Sequence, residues 1–175
     1  MRIALALIVL VACDDKEAAP AARASPAGED LGAMTEYMRK SKGAEAKVML
    51  AGIARSVVSA SQNEHFGPDG TVTAMALVAA PMTPAAGSCC KQPQGKCTPN
   101  PADWQQPGWQ AISFAMTEPH YYSYELVVDA AGFMARAVGD LDCDGELATF
   151  ELRGTAKPDG SYEIAAKPTL QNELE

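Results

Sequence analysis

One helical stripe followed only by short extended runs is the feature that most limits the fold of this chain. Apolar residues recur at helical spacing through the first third of the sequence, with most charged residues off the stripe. This pattern predicts one amphipathic helix over 29–61. Gly43 is where such a helix bends most easily, because glycine costs about 1 kcal/mol relative to alanine. The stripe comprises Leu31, Met34, Met38, Ala46, Met49, Ile53, Val57 and Ala60.

Extended runs follow the helix in series. Short turns at 129–132 and 158–160 divide them, which predicts an antiparallel meander. One long helix packed on such a sheet is an α+β fold. The 175 residues, 47% of them hydrophobic, suffice for one domain over 31–175. The predicted strands are 71–80, 111–116, 121–129, 132–139, 147–153 and 161–166.

An apolar run that stops at a cysteine opens the chain. Arg2 precedes the apolar residues 3–12, which are too few to span a membrane and are typical of a secretory signal. The run ends in L-V-A-C, which resembles a bacterial lipobox and implies that Cys13 is lipidated once the signal peptide, 1–12, is removed. Its diacylglycerol and acyl chains would hold an exported domain on the membrane. The alternative is an ordinary signal peptide that ends before a cysteine.

The residues after Cys13 predict a tether. Segment 14–30 is rich in Ala, Pro and charged residues and has no apolar periodicity, which is typical of disordered linkers. At about 3.3 Å per residue it reaches roughly 50 Å when stretched. We therefore expect 13–30 to be a lipidated spacer between a membrane and the domain.

Four further cysteines predict two disulfides, because an even number in an exported chain indicates a disulfide framework. Vicinal pairing would strain the backbone, so two connectivities stay open: Cys89–Cys97 with Cys90–Cys143, or Cys90–Cys97 with Cys89–Cys143. Either one staples the Pro- and Gly-rich loop 81–107 to a distant turn. A zinc or redox site is disfavoured by the cysteine spacing and by the lack of a histidine nearby in sequence.

The acidic turn matches a calcium-loop pattern. Its sequence fits D-x-D-x-D-G-x5-E in full. Side-chain oxygens of Asp140, Asp142 and Asp144 would converge on a hard cation, Glu146 would offer its carbonyl, and Glu151 would add a carboxylate. We therefore expect structural Ca²⁺. The flanking runs predict strands rather than EF-hand helices, so the alternative is an acidic hairpin turn with Glu151 pointing away.

Four segments occur in the order found in a known family. They are YMRKSKGAEAKVML from Tyr37, WQAISF from Trp109, PHYYSYE from Pro119 and AVGDLDCDG from Ala137. Together they resemble type IV pilins of myxobacteria and other deltaproteobacteria, and the first is similar to the second half of the pilin spine helix. Over about 31–153, the resemblance implies a pilin-like head with one long helix on an antiparallel sheet.

The chain departs from type IV pilins at its start. A pilin has a prepilin leader followed by a long apolar helix with an early Glu, whereas 14–30 are polar and hold Pro20 and Pro26. Such a segment cannot form a buried filament core. The resemblance therefore implies a pilin-like head without the polymerising tail, anchored by the lipid on Cys13 instead.

These features predict a non-catalytic, lipid-anchored, pilin-like protein of a Gram-negative envelope, facing the periplasm or the cell surface. It would act in binding or adhesion, or as an accessory to a surface assembly, with the membrane and an envelope or pilus-machinery protein as partners. The alternative is a minor pilin or pseudopilin of a type IV pilus or type II secretion system, which an upstream start codon adding an apolar segment would favour.

Charge and residue patterns argue against other functions. The formal net charge of -8 disfavours nucleic acid as a partner. His65 and His120 have no nucleophile pattern beside them, so we expect no enzyme. The aromatic residues either pack against the helix or form an exposed recognition patch; they are Trp104, Trp109, Tyr121, Tyr122 and Tyr124.

Overall fold

The chain folds as one long helix on an antiparallel sheet, as the sequence predicts. The structure is a computed structural model that describes residues 27–66, 68–70, 72–74 and 76–175. The predicted signal peptide, Cys13 and most of the predicted tether lie outside these residues. The elements in chain order are α1 (Ala27–Ser61), β1 (Glu64–Phe66), β2 (Val72–Ala74), β3 (Ala80–Thr83), α2 (Pro107–Ala111), β4 (Ser123–Asp129), β5 (Gly132–Gly139), β6 (Ala148–Ala156), β7 (Tyr162–Ile164) and β8 (Thr169–Gln171).

Only the second half of α1 is packed. The helix begins at Ala27, so it includes the last four residues of the predicted tether, and it continues through the buried Gly43. From there on, one face contacts β5 and β6. The side chains fully buried in this seam are those of Ala46, Leu50, Ile53 and Val57. Removing them from water stabilises the helix, because full burial of a side chain such as that of Leu50, Ile53 or Val57 contributes about 1.5–3 kcal/mol.

The larger sheet is a meander in the order β3-β4-β5-β6-β7, with β8 also paired to β6. The β4–β5 hairpin turns where predicted: Asp129 Oδ1 accepts hydrogen bonds from the backbone N–H groups of Ala131 and Gly132, at 2.8 and 3.0 Å. Gly132 has φ 142°, and an added Cβ would lie 2.0 Å from the Gly154 carbonyl oxygen. Glycine is therefore required there by both backbone conformation and space.

Two predicted strands are wrong. The run 71–80 contributes to two separate elements, because β2 pairs with β1 in a small sheet and β3 joins the larger one. The run 111–116 is not a strand, since Pro107 begins the helix α2 and a buried loop follows it. Its alternating apolar residues, Ile112, Phe114 and Met116, are buried in the core. Alternation here reflects packing of an irregular loop rather than strand pairing.

The aromatic residues are mainly core. Trp104, Trp109, Tyr122 and Tyr124 are at most 1% exposed, and the indole N–H of Trp109 donates to the Thr83 hydroxyl at 2.9 Å. Edge-on ring contacts link Trp104 to Trp109 and Phe114. Of the five aromatic residues singled out from the sequence, only the half-buried Tyr121 stays within reach of solvent. The ammonium groups of Lys42 and Lys96 lie over its ring.

One carboxylate of α1 fixes the helix to the sheet. Glu45 accepts hydrogen bonds from the backbone N–H of Tyr121 at 3.0 and 3.1 Å and from that of Tyr122 at 3.3 Å. The Tyr124 hydroxyl donates to the same carboxylate at 3.0 Å. Backbone donors at the start of β4 would otherwise lack partners, which costs about 1–3 kcal/mol for each buried group. Glu45 therefore sets where along β4 the helix lies.

Burial changes the acidity of both tyrosines. The pKa of Tyr124 is raised well above its ordinary value by burial and then by the negative charge of Glu45. The pKa of Tyr122 is raised for the same two reasons. The Tyr122 hydroxyl, unlike that of Tyr124, has no hydrogen-bond partner among the described residues.

Removing the two hydroxyls should change stability in opposite directions. Tyr124→Phe deletes a bond to a charged group and should lower the free energy of unfolding by about 1.5–3 kcal/mol. Tyr122→Phe deletes an unsatisfied buried hydroxyl and should leave it unchanged or raise it by up to about 1 kcal/mol. Urea unfolding at pH 7 measures both. Equal losses in the two variants would contradict the Glu45 contact.

The stability of the same variants should also depend on pH in a characteristic way. Because both pKa values lie above the ordinary value of 10.0 in the folded state, the tyrosines ionise more readily in the unfolded chain. The free energy of unfolding is therefore unaffected by them below about pH 10 and falls as the pH rises above it. Tyr122→Phe should reduce this alkaline loss relative to the unsubstituted chain in a pH series of urea midpoints.

Candidate functional site

The first half of α1 presents an apolar stripe to solvent. Leu31, Met34, Tyr37 and Met38 are 70%, 58%, 71% and 50% exposed. At 100° per residue they lie within an arc of about 120°. Three of them belong to the helical stripe predicted from the sequence, which is therefore buried only in its later part. Contiguous exposed apolar side chains of this kind typically mark an interaction surface.

Basic side chains of α1 attach the helix to the acidic turn. The Arg39 guanidinium donates to Asp142 Oδ2 at 2.6 Å and to the backbone carbonyl of Leu174 at 3.1 Å. The Lys42 ammonium donates to the Leu141 carbonyl at 3.1 Å. These contacts place the acidic turn beside the middle of α1, at the point where its buried half begins.

Three of the five predicted calcium ligands meet. Carboxylate oxygens of Asp140, Asp142 and Asp144 lie within 4.8 Å of one another. Asp140 also shapes the turn, since it accepts hydrogen bonds from the N–H groups of Cys143 at 2.7 Å and Gly145 at 3.2 Å. Hard oxygen donors at this spacing suit Ca²⁺. Arg39 already supplies a positive charge to Asp142, so calcium binding stays a prediction of the sequence.

Of the two predicted glutamates, Glu151 is directed away from this cluster, whereas Glu146, predicted to contribute its backbone carbonyl, remains beside Asp144. Glu151 lies opposite Arg136 in the β5–β6 register. Its carboxylate pairs with Arg136 at 3.0 Å and with Arg153 at 3.2 Å. Glu146 is exposed, and its backbone N–H donates to Asp144 at 2.7 Å. Because Leu147 is followed directly by a strand, side-chain alternation carries Glu151 along the sheet rather than back to the turn.

Negative charge accumulates around this turn. The pKa of Glu175 is raised, first by partial loss of water and then by the neighbouring Asp142 and Asp144, while Arg39 acts in the opposite direction. The carboxylates of the turn and of the C-terminal residue therefore share one region of negative potential next to the helix.

The cysteines form the first of the two connectivities left open by the sequence. Cys89 pairs with Cys97, with Cα atoms 4.3 Å apart, and Cys90 pairs with Cys143, with Cα atoms 5.6 Å apart. The first bridge closes a small ring, and the second ties that ring to the acidic turn. Each contributes about 2–4 kcal/mol. Cys143 has φ 69°, so the bridge and Asp140 together hold the turn in a left-handed conformation.

The structure brings His120 to the inner bridge, which the sequence did not predict. An antiparallel bridge pairs Cys97 with His120, and a ring nitrogen of His120 lies within 4.8 Å of the sulfurs of Cys89 and Cys97. His120 is 2% exposed, and its Nδ1 lies 3.0 Å from the Glu118 carbonyl oxygen. Both sulfurs are consumed by the disulfide, so the arrangement acts as core packing. The side chain of His65 lies outside the described part of the structure.

Other contacts of the site had no signal in the sequence. Glu45, Arg39 and Leu174 are separated by long stretches of chain from the groups they meet, and each pairs through tertiary geometry alone. Within the described ranges, which begin at Ala27, no helix is long and apolar enough to span a bilayer.

The position of Glu151 predicts that it stabilises the sheet through ion pairs and does not bind Ca²⁺. Glu151→Gln should lower the free energy of unfolding by about 1 kcal/mol, because it breaks the pairs with Arg136 and Arg153. The loss should be the same in EDTA and in excess Ca²⁺. Thermal unfolding measures it, with Glu163→Gln as a control at an exposed carboxylate expected to change little. A loss that occurs only with Ca²⁺ would instead make Glu151 a ligand.

Comparison with known proteins found no similar protein. No protein-family model matches the chain, and neither a curated protein nor a solved structure matches it. No function therefore follows from a known relative.

Proposed function

We propose that the protein is a lipid-anchored, pilin-like module of a Gram-negative envelope that works by binding rather than by catalysis. It faces the periplasm or the cell surface and serves as an adhesive module or as an accessory to a surface assembly. The observation that carries this proposal is the division of α1. Its later half packs on the sheet, and its first half leaves the apolar stripe of Leu31, Met34, Tyr37 and Met38 exposed.

The apolar stripe suits a helical partner. Side chains at spacings of three and four residues are the anchors with which an amphipathic helix docks into a groove or against another helix. Next to the stripe, the exposed side chains of Lys40 and Glu36 form an ion pair at 2.6 Å. The helix surface that flanks the stripe is therefore polar. We therefore assign the stripe to an envelope or pilus-machinery protein.

The proposed lipid anchor is supported by the sequence around Cys13, and export is supported by the disulfides. The lipobox-like motif before Cys13 directs lipidation of that cysteine, and the tether holds the domain away from the membrane. Two disulfides support an exported location, because such bridges persist in oxidising compartments. Structural Ca²⁺ at Asp140, Asp142 and Asp144 belongs to the same proposal as a stabiliser of the acidic turn.

The exposed stripe also favours a second candidate. In a minor pilin or pseudopilin, the first half of the long helix packs against neighbouring subunits of a filament. That role requires an apolar extension of the helix in place of the polar segment 14–30. The two candidates therefore differ in the mature N-terminus.

Intact mass with N-terminal fragmentation, on protein from its native membrane, separates the two candidates. We expect a chain that starts at diacylated Cys13 and is lighter by four hydrogens, as two disulfides require. A chain without lipid, or one extended upstream by an apolar segment, would contradict the lipoprotein proposal and favour the pilin candidate.

A photo-crosslinking residue tests the stripe itself. Placed at Met34, it should capture an envelope protein in intact cells, whereas the same residue at the exposed Lys157 should not. Equal capture from both positions would show that the stripe is not the docking surface.

A further inference from the structure

A groove opens between α1 and the edge of β6, away from the apolar stripe. β7 and β8 both pair with the same edge of β6, at Gly154–Ala156 and Thr149–Glu151. The Ala165 N–H donates to the Arg153 carbonyl at 2.9 Å. Beyond Ala165, the chain that connects β7 to β8 leaves the edge of β6. A cavity of about 560 Å³ lies between this connection and the helix.

The groove is lined mainly by apolar side chains. Leu152, Ile164 and Pro168 lie on the sheet side, and Ala51, Ala54 and Val58 lie on the helix side. The alanines are too short to fill the seam where the connection departs from β6, which leaves the space open. Its volume falls within the range of about 300–1,000 Å³ that is typical of small-molecule sites.

The charged groups of the groove are both basic. In a protein of formal net charge -8, the titratable side chains that line it are Lys47 and Arg55, with no carboxylate among them. The Lys47 ammonium is already paired with Glu173 at 2.6 Å. Arg55 makes no ion pair or hydrogen bond within the described part of the chain. An unpaired guanidinium beside an apolar groove attracts an anion, and a carboxylate matches its planar donors best.

We propose that this groove binds a free fatty acid, with the carboxylate at Arg55 and the acyl chain along the apolar walls. The lining helix residues, from Lys47 to Gln62, span about 22 Å at the helical rise per residue, so an extended chain can lie along them. Burial of each methylene of the acyl chain against these apolar walls strengthens binding. The site is distinct from the apolar stripe and does not depend on the function proposed above.

A fluorescent fatty acid and its uncharged methyl ester test the site on the full chain. cis-Parinaric acid, kept below its critical micelle concentration, should bind saturably at one site per chain. Arg55→Gln should weaken this binding about three- to fivefold, as expected for loss of an ion pair at an exposed arginine. The methyl ester of the probe should bind more weakly than the acid and be unaffected by Arg55→Gln.

Two further variants separate the groove from general effects. Ala51→Trp, at a half-buried helix position, fills the groove and should abolish binding of both probes while the circular dichroism and Tm stay unchanged. Arg153→Gln removes an exposed arginine that does not line the groove and should leave the binding of both probes unchanged. Binding to anionic phospholipid vesicles should not depend on Arg55, which distinguishes a free fatty acid from a lipid headgroup.

Three results would overturn the proposal. These are the absence of saturable binding, equal affinity of the Arg55→Gln chain, and full binding by the Ala51→Trp chain. A groove already filled by residues 1–26 or by a second copy would give the first of them. An Arg55-dependent vesicle interaction without binding of the free acid would assign the groove to a membrane surface instead.

Discussion

Glu45 of α1 binds the backbone just before β4 and so fixes the helix against the sheet. A single carboxylate accepts hydrogen bonds from two backbone N–H groups and one buried tyrosine hydroxyl. The carboxylate reaches all three donors because Glu45 has a long side chain and two acceptor oxygens. Hydrophobic burial alone would let the helix slide along the sheet, whereas these directional bonds fix one position.

That fixed position divides α1 into two parts with different roles. After Glu45, the helix buries a full apolar face, and before it the helix leaves the sheet behind and exposes Leu31, Met34, Tyr37 and Met38. Arg39 and Lys42 extend the attachment only as far as the acidic turn. The disulfide from Cys90 to Cys143 holds that turn from the other side. The helix is thus packed and hydrogen-bonded where it meets the sheet and presents an exposed apolar surface beyond it, which is the basis of the binding role proposed here.

Local patterns predicted the parts of the fold that local forces determine. The β4–β5 turn follows from Asp129 and Gly132, and the helix follows from its spacing of apolar residues. The run 111–116 was misassigned because its alternation matches core packing of a loop as well as it matches a strand. The same limit applies to the site. Glu151 fits a calcium motif by spacing, but the strand that carries it turns its carboxylate to Arg136. Neither the Glu45 contact nor the groove beside Arg55 has a local signature, since both arise where segments distant in sequence meet.

Hydrogen exchange along α1 in the isolated full chain tests whether the helix is divided into a packed and an unpacked half. We predict protection near the global free energy of unfolding for the amides of Ala46 to Ala60, and fast exchange for those of Leu31 to Ser41, because that half has no sheet to pack against. Glu45→Ala should lower the protection of the later half while the first half stays unchanged. Uniform protection from Leu31 to Ala60 would contradict the division of the helix and, with it, the docking surface.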